Sequence, residues 1–152
     1  ARRRRTHRRE DAATSLVLTA CHRDRDLLRP ALHFLAHQGT SVYIDFREGG
    51  FPDQFSTECA DWLRDCLESD RRLVLVSTQE GLASPWTPWQ LALAEGTLGL
   101  ENLAVLPVED YGYFRGSPLL GLYATIRRRR GAWSVVGPRG RVGPSLEDWL
   151  AC

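Results

Sequence analysis

The sequence contains no lysine, since all twenty of its basic residues are arginine. We attribute this to coding bias and not to function. It also has no apolar run near the roughly 18 residues that a membrane span requires, and no apolar stretch of the kind a secretory signal requires. We therefore expect a soluble, cytoplasmic protein. What is present, 43% hydrophobic residues, 26% charged residues and five tryptophans, is typical of a globular chain.

Metal-binding and redox motifs are missing as well. The four cysteines form no C-x-x-C pair and have no zinc spacing with the four histidines, so we expect reduced thiols and no metal. Cys59 and Cys66 are seven residues apart, which predicts two buried positions on one helix face. Cys21 and His22 are neighbours, whereas a catalytic Cys–His pair usually comes from separate segments. Without a G-x-G-x-x-G fingerprint, a classical dinucleotide-oxidoreductase site is not expected.

Basic charge is concentrated in residues 1–10 and Arg127–Arg130, although the formal net charge is only +1. A nucleic-acid patch is conceivable, but no aromatic residues are interleaved with the arginines and no nucleic-acid motif follows, so nucleic-acid binding is not favoured. We expect residues 1–14 to form a basic, flexible tail. Residues 15–152 are expected to form one domain, which at this size buries roughly 68–70% of the surface of its unfolded chain.

Strand-like and helix-like segments alternate along the chain. The helical patterns begin near Asp26, at Phe55 with Asp53 as cap, at Thr87, and after Ser145. Tyr111–Arg130 is predicted to be irregular, with one short helix over Pro118–Tyr123, and Gly137–Pro144 to be a connector. The alternation predicts a doubly wound α/β fold, a parallel five-stranded sheet with helices on both faces. The five predicted strands are Ser15–Thr19, Ser41–Ile44, Leu73–Ser77, Ala104–Val108 and Trp133–Val136.

In such a sheet ligands bind at the carboxyl ends of the strands, beside the point where the strand order reverses. The loops Thr19–Asp24, Asp45–Pro52 and Ser77–Thr87 are therefore expected to converge on one crevice. At its rim, Thr87 and Gln90 fit a capping box with Pro88 at the first helical position. Ser84-Pro85 could instead cap the helix one turn earlier. Capping leaves Trp86 unexplained.

Four segments carry a resemblance to a known family. Ser84-Pro-Trp86 with position 90 matches the signature S-x-W-x-x-x-E, and Thr19–Asp26 stands where that family has Ser-His-Ala/Ser-x-x-Asp. Val42–Asp45 corresponds to its second strand, and Phe46–Phe55 to its flexible BB loop. Over roughly residues 15–150 the chain thus resembles a bacterial TIR (Toll/interleukin-1 receptor) domain, in particular the short TIR proteins of Thoeris-type antiphage defence.

The resemblance implies a flavodoxin-like fold and an NAD+ hydrolase or ADP-ribosyl cyclase. Such an enzyme cleaves the nicotinamide–ribose bond, makes an ADP-ribose-derived signal for a nucleotide-sensing effector, and uses NAD+ as substrate with no tightly bound cofactor. Self-association through the Phe46–Pro52 loop is also implied, and is the basis of an alternative function as a non-enzymatic signalling module. The resemblance also implies substrate-binding residues. Trp86 would pack against the nicotinamide or ribose, and Phe51 would cover the ligand. Asp45 would bond to a ribose hydroxyl, and the crevice would be lined by Ser84, Thr19 and Ala20.

The chain departs from the family at its catalytic residue, because Gln90 stands where the signature has glutamate. An amide keeps the size and hydrogen-bonding reach of a carboxylate but lacks the charge that stabilises an oxocarbenium-like ribose. We therefore expect a catalytically impaired form. Gln90 is either natural, in a pseudo-enzyme, or an engineered Glu→Gln change. We favour the second, because the flanking Trp86, Trp89 and Leu91 keep the active pattern.

Overall fold

The computed structural model describes residues 14–38 and 41–151, and the predicted tail lies outside them except for Thr14. Within these residues seven strands form one sheet, and four α-helices pack on it. The strands are β1 (Thr14–Thr19), β2 (Val42–Phe46), β3 (Arg72–Ser77), β4 (Leu103–Pro107), β5 (Thr125–Arg129), β6 (Ala132–Val136) and β7 (Val142–Ser145). The helices are α1 (Leu28–Ala36), α2 (Thr57–Ser69), α3 (Trp86–Leu98) and α4 (Leu146–Ala151).

The strand order is β2-β1-β3-β4-β5-β6-β7. The first five strands are parallel, and β6 and β7 continue the sheet in antiparallel pairing. The chain moves outward from β1 to β2 and then returns to the other side of β1 at β3. The strand order therefore reverses between β1 and β3, which is where a flavodoxin-like sheet binds its ligand.

Both faces of the sheet are covered, as the doubly wound plan predicts. One core joins alternate residues of β1 to β4 with α1 and α4, through side chains such as Leu32 and Trp149. The other core joins the opposite residues of β1, β3 and β4 with α2 and α3, through Trp62 and Leu91. Cys59 and Cys66 are buried in this second core, which confirms their predicted position. Among residues 14–38 and 41–151, no helix combines the length and apolarity needed to cross a bilayer.

The fifth predicted strand was expected to be parallel to the others, and this was wrong. Trp133–Val136 does form a strand, β6, but it is antiparallel to β5. The fifth parallel strand is β5, in the segment predicted to be irregular, and β7 lies in the predicted connector. β5 reads Thr-Ile-Arg-Arg-Arg and β7 contains Gly143 and Pro144. Neither has the apolar run that indicates a strand, because only Thr125 and Ile126 among their residues are buried.

The start of α2 also differs from its prediction. Ser56 is the N-cap, and its Oγ accepts a hydrogen bond from the backbone N–H of Cys59 at 3.3 Å. Asp53 is exposed and lies three residues before this cap, so its predicted capping role was wrong. Both residue types are good caps, and the sequence pattern could not choose between them because Phe55, counted as the first apolar helix residue, lies outside the helix.

Candidate functional site

The three predicted loops do meet at the reversal between β1 and β3. The Phe46–Phe55 loop lies along the segment after β1, where Phe51 N–H donates to the Ala20 carbonyl at 2.8 Å and His22 N–H donates to the Phe51 carbonyl at 2.7 Å. The His22 Nδ1 atom is 3.0 Å from the carbonyl oxygen of Gly49. The predicted loop Thr19–Asp24 is short in this structure, because a 3-10 helix begins at His22.

Gly50 permits this close approach. Its φ of +66° lies in the left-handed region, and a Cβ there would be 2.7 Å from the Cys21 carbonyl oxygen and 2.8 Å from that of Ala20. Both contacts are with backbone, which cannot swing aside as a side chain can. The neighbouring Gly49 has open space around its Cβ position. Only the second glycine is therefore required by the loop's packing.

The loop after β3 joins the other two through Asp24. The buried Asp24 carboxylate accepts from Thr78 N–H at 2.9 Å and from the Thr78 hydroxyl at 2.8 Å. Thr78 Oγ1 in turn accepts from Gly81 N–H at 3.2 Å. A Cβ on Gly81 would collide with the carboxylate, so this glycine makes room for it. Sequence reasoning missed Asp24 and Thr78, because they lie 54 residues apart and no local pattern connects them.

Aromatic side chains fill the crevice on its α2 and α3 side. The ring centroid of Trp86 is 5.2 Å from those of Phe51 and Trp89 and 4.8 Å from that of Phe55. The Trp86 indole N–H donates to the Gln54 carbonyl at 3.4 Å. Trp86 is only 2% exposed, so a ligand could reach its ring only if the Phe46–Phe55 loop moved.

The start of α3 shows how Gln90 is placed. The helix begins at Trp86 with Pro85 at the N-cap position, and the Trp86 N–H donates to Ser84 Oγ at 3.3 Å, so the helix begins at the earlier of the two predicted positions. The capping box was wrong, because Thr87 lies inside the helix and its hydroxyl donates to the Gly81 carbonyl at 3.4 Å. Gln90 cannot reach back to a cap and instead faces the sheet side of α3, together with Leu91.

Gln90 is completely buried, and its amide has no partner. The side chain is 0% exposed, and neither Oε1 nor Nε2 has a hydrogen-bond partner in the described part of the chain. The hydroxyl of Thr19, at the carboxyl end of β1, is buried and unpartnered in the same way. A buried amide left unbonded costs roughly 1–3 kcal/mol, so native structures contain few of them.

Two further predicted site residues, Ala20 and Asp45, have different surroundings. Ala20 is adjacent to Thr19, but its side chain packs in the α1 and α4 core and its carbonyl is bonded to Phe51. Asp45 is fully buried on the edge strand β2, where it accepts from the Tyr43 hydroxyl at 3.1 Å. Its carboxylate is grouped with Cys66 Sγ and a carboxylate oxygen of Asp70 within 4.8 Å, under α2.

The Cys21 thiol at this site is held in its protonated form. Burial is the largest cause of its raised pKa, and the nearby Asp24 carboxylate raises it further. A thiol of this kind is a poor nucleophile. Besides the Asp24 carboxylate, which is bonded to Thr78, the crevice offers an amide, a hydroxyl and an aromatic surface that can bind and orient a ligand.

Comparison with known proteins finds a distant relative of the chain. No protein-family model matches the chain. The chain is 30% identical over 101 residues to a protein of Bacillus cereus (strain MSX-D12) named "Probable 3' cyclic ADP-D-ribose synthase ThsB'". The similarity covers 63% of this chain and 51% of the relative, so the chain spans about half the length of the curated protein it matches. The chain is thus distantly related to a protein named as a cyclic ADP-D-ribose synthase.

Proposed function

We propose that the chain is an NAD+-binding TIR-type domain of bacterial antiphage immunity, related to the Thoeris systems. Its active counterparts cleave the nicotinamide–ribose bond and make a cyclic ADP-ribose signal that a nucleotide-sensing effector reads in the cytoplasm. Gln90 occupies the position of the catalytic glutamate, and the chain as it stands turns NAD+ over poorly. The distant relationship to a named cyclic ADP-D-ribose synthase supports this reaction class.

The observation that carries the proposal is the unpartnered amide of Gln90. A purely structural position would favour an apolar residue of the same size, because burying an unbonded amide destabilises the fold. A ribose could supply both missing partners, with a hydroxyl donating to Oε1 and an oxygen accepting from Nε2. The unpartnered Thr19 hydroxyl would lie on the same side of the sheet, at the carboxyl end of β1.

Loss of turnover follows from the charge of residue 90. Breaking the bond to nicotinamide places positive charge on the ribose, and a carboxylate stabilises or intercepts it. An amide can hold the ribose but can do neither. Removing one preorganised electrostatic group commonly lowers the rate by about 10²–10³-fold.

Binding also requires the crevice to open. Phe51 and Trp86 pack against each other at 5.2 Å and both are buried, so the nicotinamide ring can reach Trp86 only by displacing Phe51. The Phe46–Phe55 loop would have to release its hydrogen bonds to Ala20 and His22. The ligand would then replace one aromatic contact of Trp86 with another.

Restoring the charge tests the proposal. We expect Gln90→Glu to raise nicotinamide release from NAD+ by about 10²–10³-fold over the unchanged chain. Gln38→Glu is the matched control, because it makes the same charge change at the end of α1, where Gln38 bonds to the Phe34 carbonyl. Both variants are first compared with the parent by circular dichroism. A folded Gln90→Glu protein that releases no more nicotinamide than Gln38→Glu, at dilute and at high protein concentration, would rule the reaction out.

A second function, self-association without catalysis, is favoured by Phe55. Its side chain is 72% exposed although it contacts Trp86 at the end of the loop. If the loop is an assembly surface, sedimentation shows oligomers that dissociate on dilution and in Phe55→Ser. Leu122→Ser is the control, because Leu122 is 60% exposed in another part of the chain. This function predicts that calorimetry detects no NAD+ binding, whereas the first predicts binding.

A further inference from the structure

A second polar cavity lies beyond β4 from the crevice, and the proposed function does not use it. It has a volume of about 320 Å³ and opens beside β5 and β6. Three arginines line it, Arg115 from the loop after β4, Arg127 from β5 and Arg139 from the turn after β6. No acidic side chain lines it. The cavity therefore concentrates positive charge on a chain whose net charge is close to zero.

These arginines differ from several others in the molecule. Arg23, for example, pairs with Glu80 at 2.7 Å, whereas none of the three forms an ion pair with residues 14–38 or 41–151. Two of the three are oriented by other contacts. The Arg127 Nε–H donates to Thr125 Oγ1 at 2.8 Å, and the Arg115 guanidinium lies 5.8 Å from the centre of the Tyr113 ring.

The backbone that carries Arg115 is held by one side chain. The Oε1 atom of Gln79 accepts from Arg115 N–H at 2.6 Å and from Gly116 N–H at 2.7 Å. Its Nε2 atom donates to the Gly116 carbonyl at 2.9 Å. On the opposite wall Arg139 has a φ of +62°, which is unfavourable for a residue with a Cβ. The backbone at Arg115 is thus held by specific hydrogen bonds.

We propose that this cavity binds a small molecule through a phosphate or diphosphate group. The flat guanidinium fork matches the geometry of phosphate oxygens and bonds to them through two N–H groups. Two hydroxyls in the lining add further donors. Ser117 Oγ accepts from Leu120 N–H and Thr125 Oγ1 accepts from Arg127, so each O–H remains available to an anion.

The test uses the whole chain and inorganic pyrophosphate as the probe. Calorimetry at low ionic strength is expected to show saturable binding of one pyrophosphate. Arg127→Gln is expected to weaken it by at least about tenfold, because a charge-assisted hydrogen bond is lost. Arg128→Gln is the matched control. Arg128 is the next residue of β5, so it points to the other face of the sheet, and its loss should change the affinity less than about twofold.

Arg115→Gln provides a second variant on another element, with the same expected loss, and thermal melts verify that each variant is folded. The proposal is overturned if pyrophosphate shows no saturable binding. It is also overturned if Arg127→Gln and Arg128→Gln weaken binding equally, because the affinity would then depend on net charge alone. ADP distinguishes the sources: tighter binding than pyrophosphate identifies a nucleotide, and equal binding a free phosphate. Since neither Gln90 nor Trp86 lines this cavity, pyrophosphate affinity should be unchanged in Gln90→Glu, which separates this test from that of NAD+ cleavage.

Discussion

Two buried polar side chains near the reversal of the sheet, Asp24 and Gln90, have opposite surroundings. The Asp24 carboxylate accepts hydrogen bonds from the backbone N–H and the hydroxyl of Thr78. The Gln90 amide, buried even more completely, has no partner among the residues of the described chain. The first side chain ties two loops together. At the second position an apolar side chain of similar size would stabilise the fold more than the amide does.

The contrast distinguishes a buried polar side chain that stabilises the fold from one that is available to bind a ligand. A buried carboxylate that accepts hydrogen bonds holds the donor groups in place, and removing it leaves those buried donors without an acceptor. A buried amide without partners lowers stability until something binds to it. Substitutions at the two positions should therefore change stability in opposite directions.

The largest effect is expected from Asp24→Ala. It leaves the Thr78 N–H and hydroxyl buried without their acceptor, so we expect the free energy of unfolding to fall by about 3 kcal/mol. Urea denaturation followed by circular dichroism measures this change. Asp26→Ala is the control, because Asp26 is exposed two residues further on and such changes usually stay within about 0.5 kcal/mol. Equal losses in the two variants would mean that the Asp24–Thr78 contact does not stabilise the loops.

A smaller effect of opposite sign is expected from Gln90→Leu. Replacing an unbonded buried amide with an apolar side chain of similar size should raise the free energy of unfolding by about 1 kcal/mol. Gln79→Leu makes the same chemical change where the amide bonds to Arg115 N–H and to both backbone groups of Gly116, and should lower it by about 2 kcal/mol. If Gln90→Leu destabilises the chain as Gln79→Leu does, Gln90 is a structural residue.

Much of the fold could be predicted because the central strands are apolar on both faces. β1, β3 and β4 are buried between two layers of helices, and such strands read as continuous hydrophobic runs. β5 could not be found in this way, because three of its five residues are exposed arginines. Its place in the sheet depends on pairing with β4, which is distant in sequence, and with β6, which follows after the two-residue turn Arg130-Gly131.

Some residues of the candidate site could be predicted from the sequence and others could not. Trp86 and Gln90 are four residues apart on one helix, so their shared location could be inferred from helical spacing. Asp45 was expected beside them because it follows a strand, but β2 is the edge of the sheet and its carboxylate lies under α2. Asp24 and Thr78 were missed because contacts between loops depend on how the strands are ordered, which the sequence pattern does not specify.

The smallest expected effect concerns the Cys21 thiol, which reports on the Asp24 carboxylate. Burial, the largest cause, and then the negative charge of Asp24 raise the pKa of this thiol above its ordinary value of 9.0, while backbone N–H groups of Asp24 and Arg23 oppose the rise. Asp24→Asn removes the charge, so we expect the pKa to fall but to stay above 9.0. The rate of Cys21 alkylation against pH, followed by peptide mass spectrometry, gives the midpoint.

The sign of the linked stability follows from the same shift. Because the folded-state pKa is raised, the unfolded chain releases its proton first, so the contribution of Cys21 is complete below pH 9.0 and is lost as the pH rises through the folded value. The alkaline loss of unfolding free energy should therefore be smaller in Asp24→Asn than in the parent chain. A Cys21 midpoint that does not move would show that the carboxylate acts only on Thr78, and a midpoint below 9.0 would show that its charge outweighs burial.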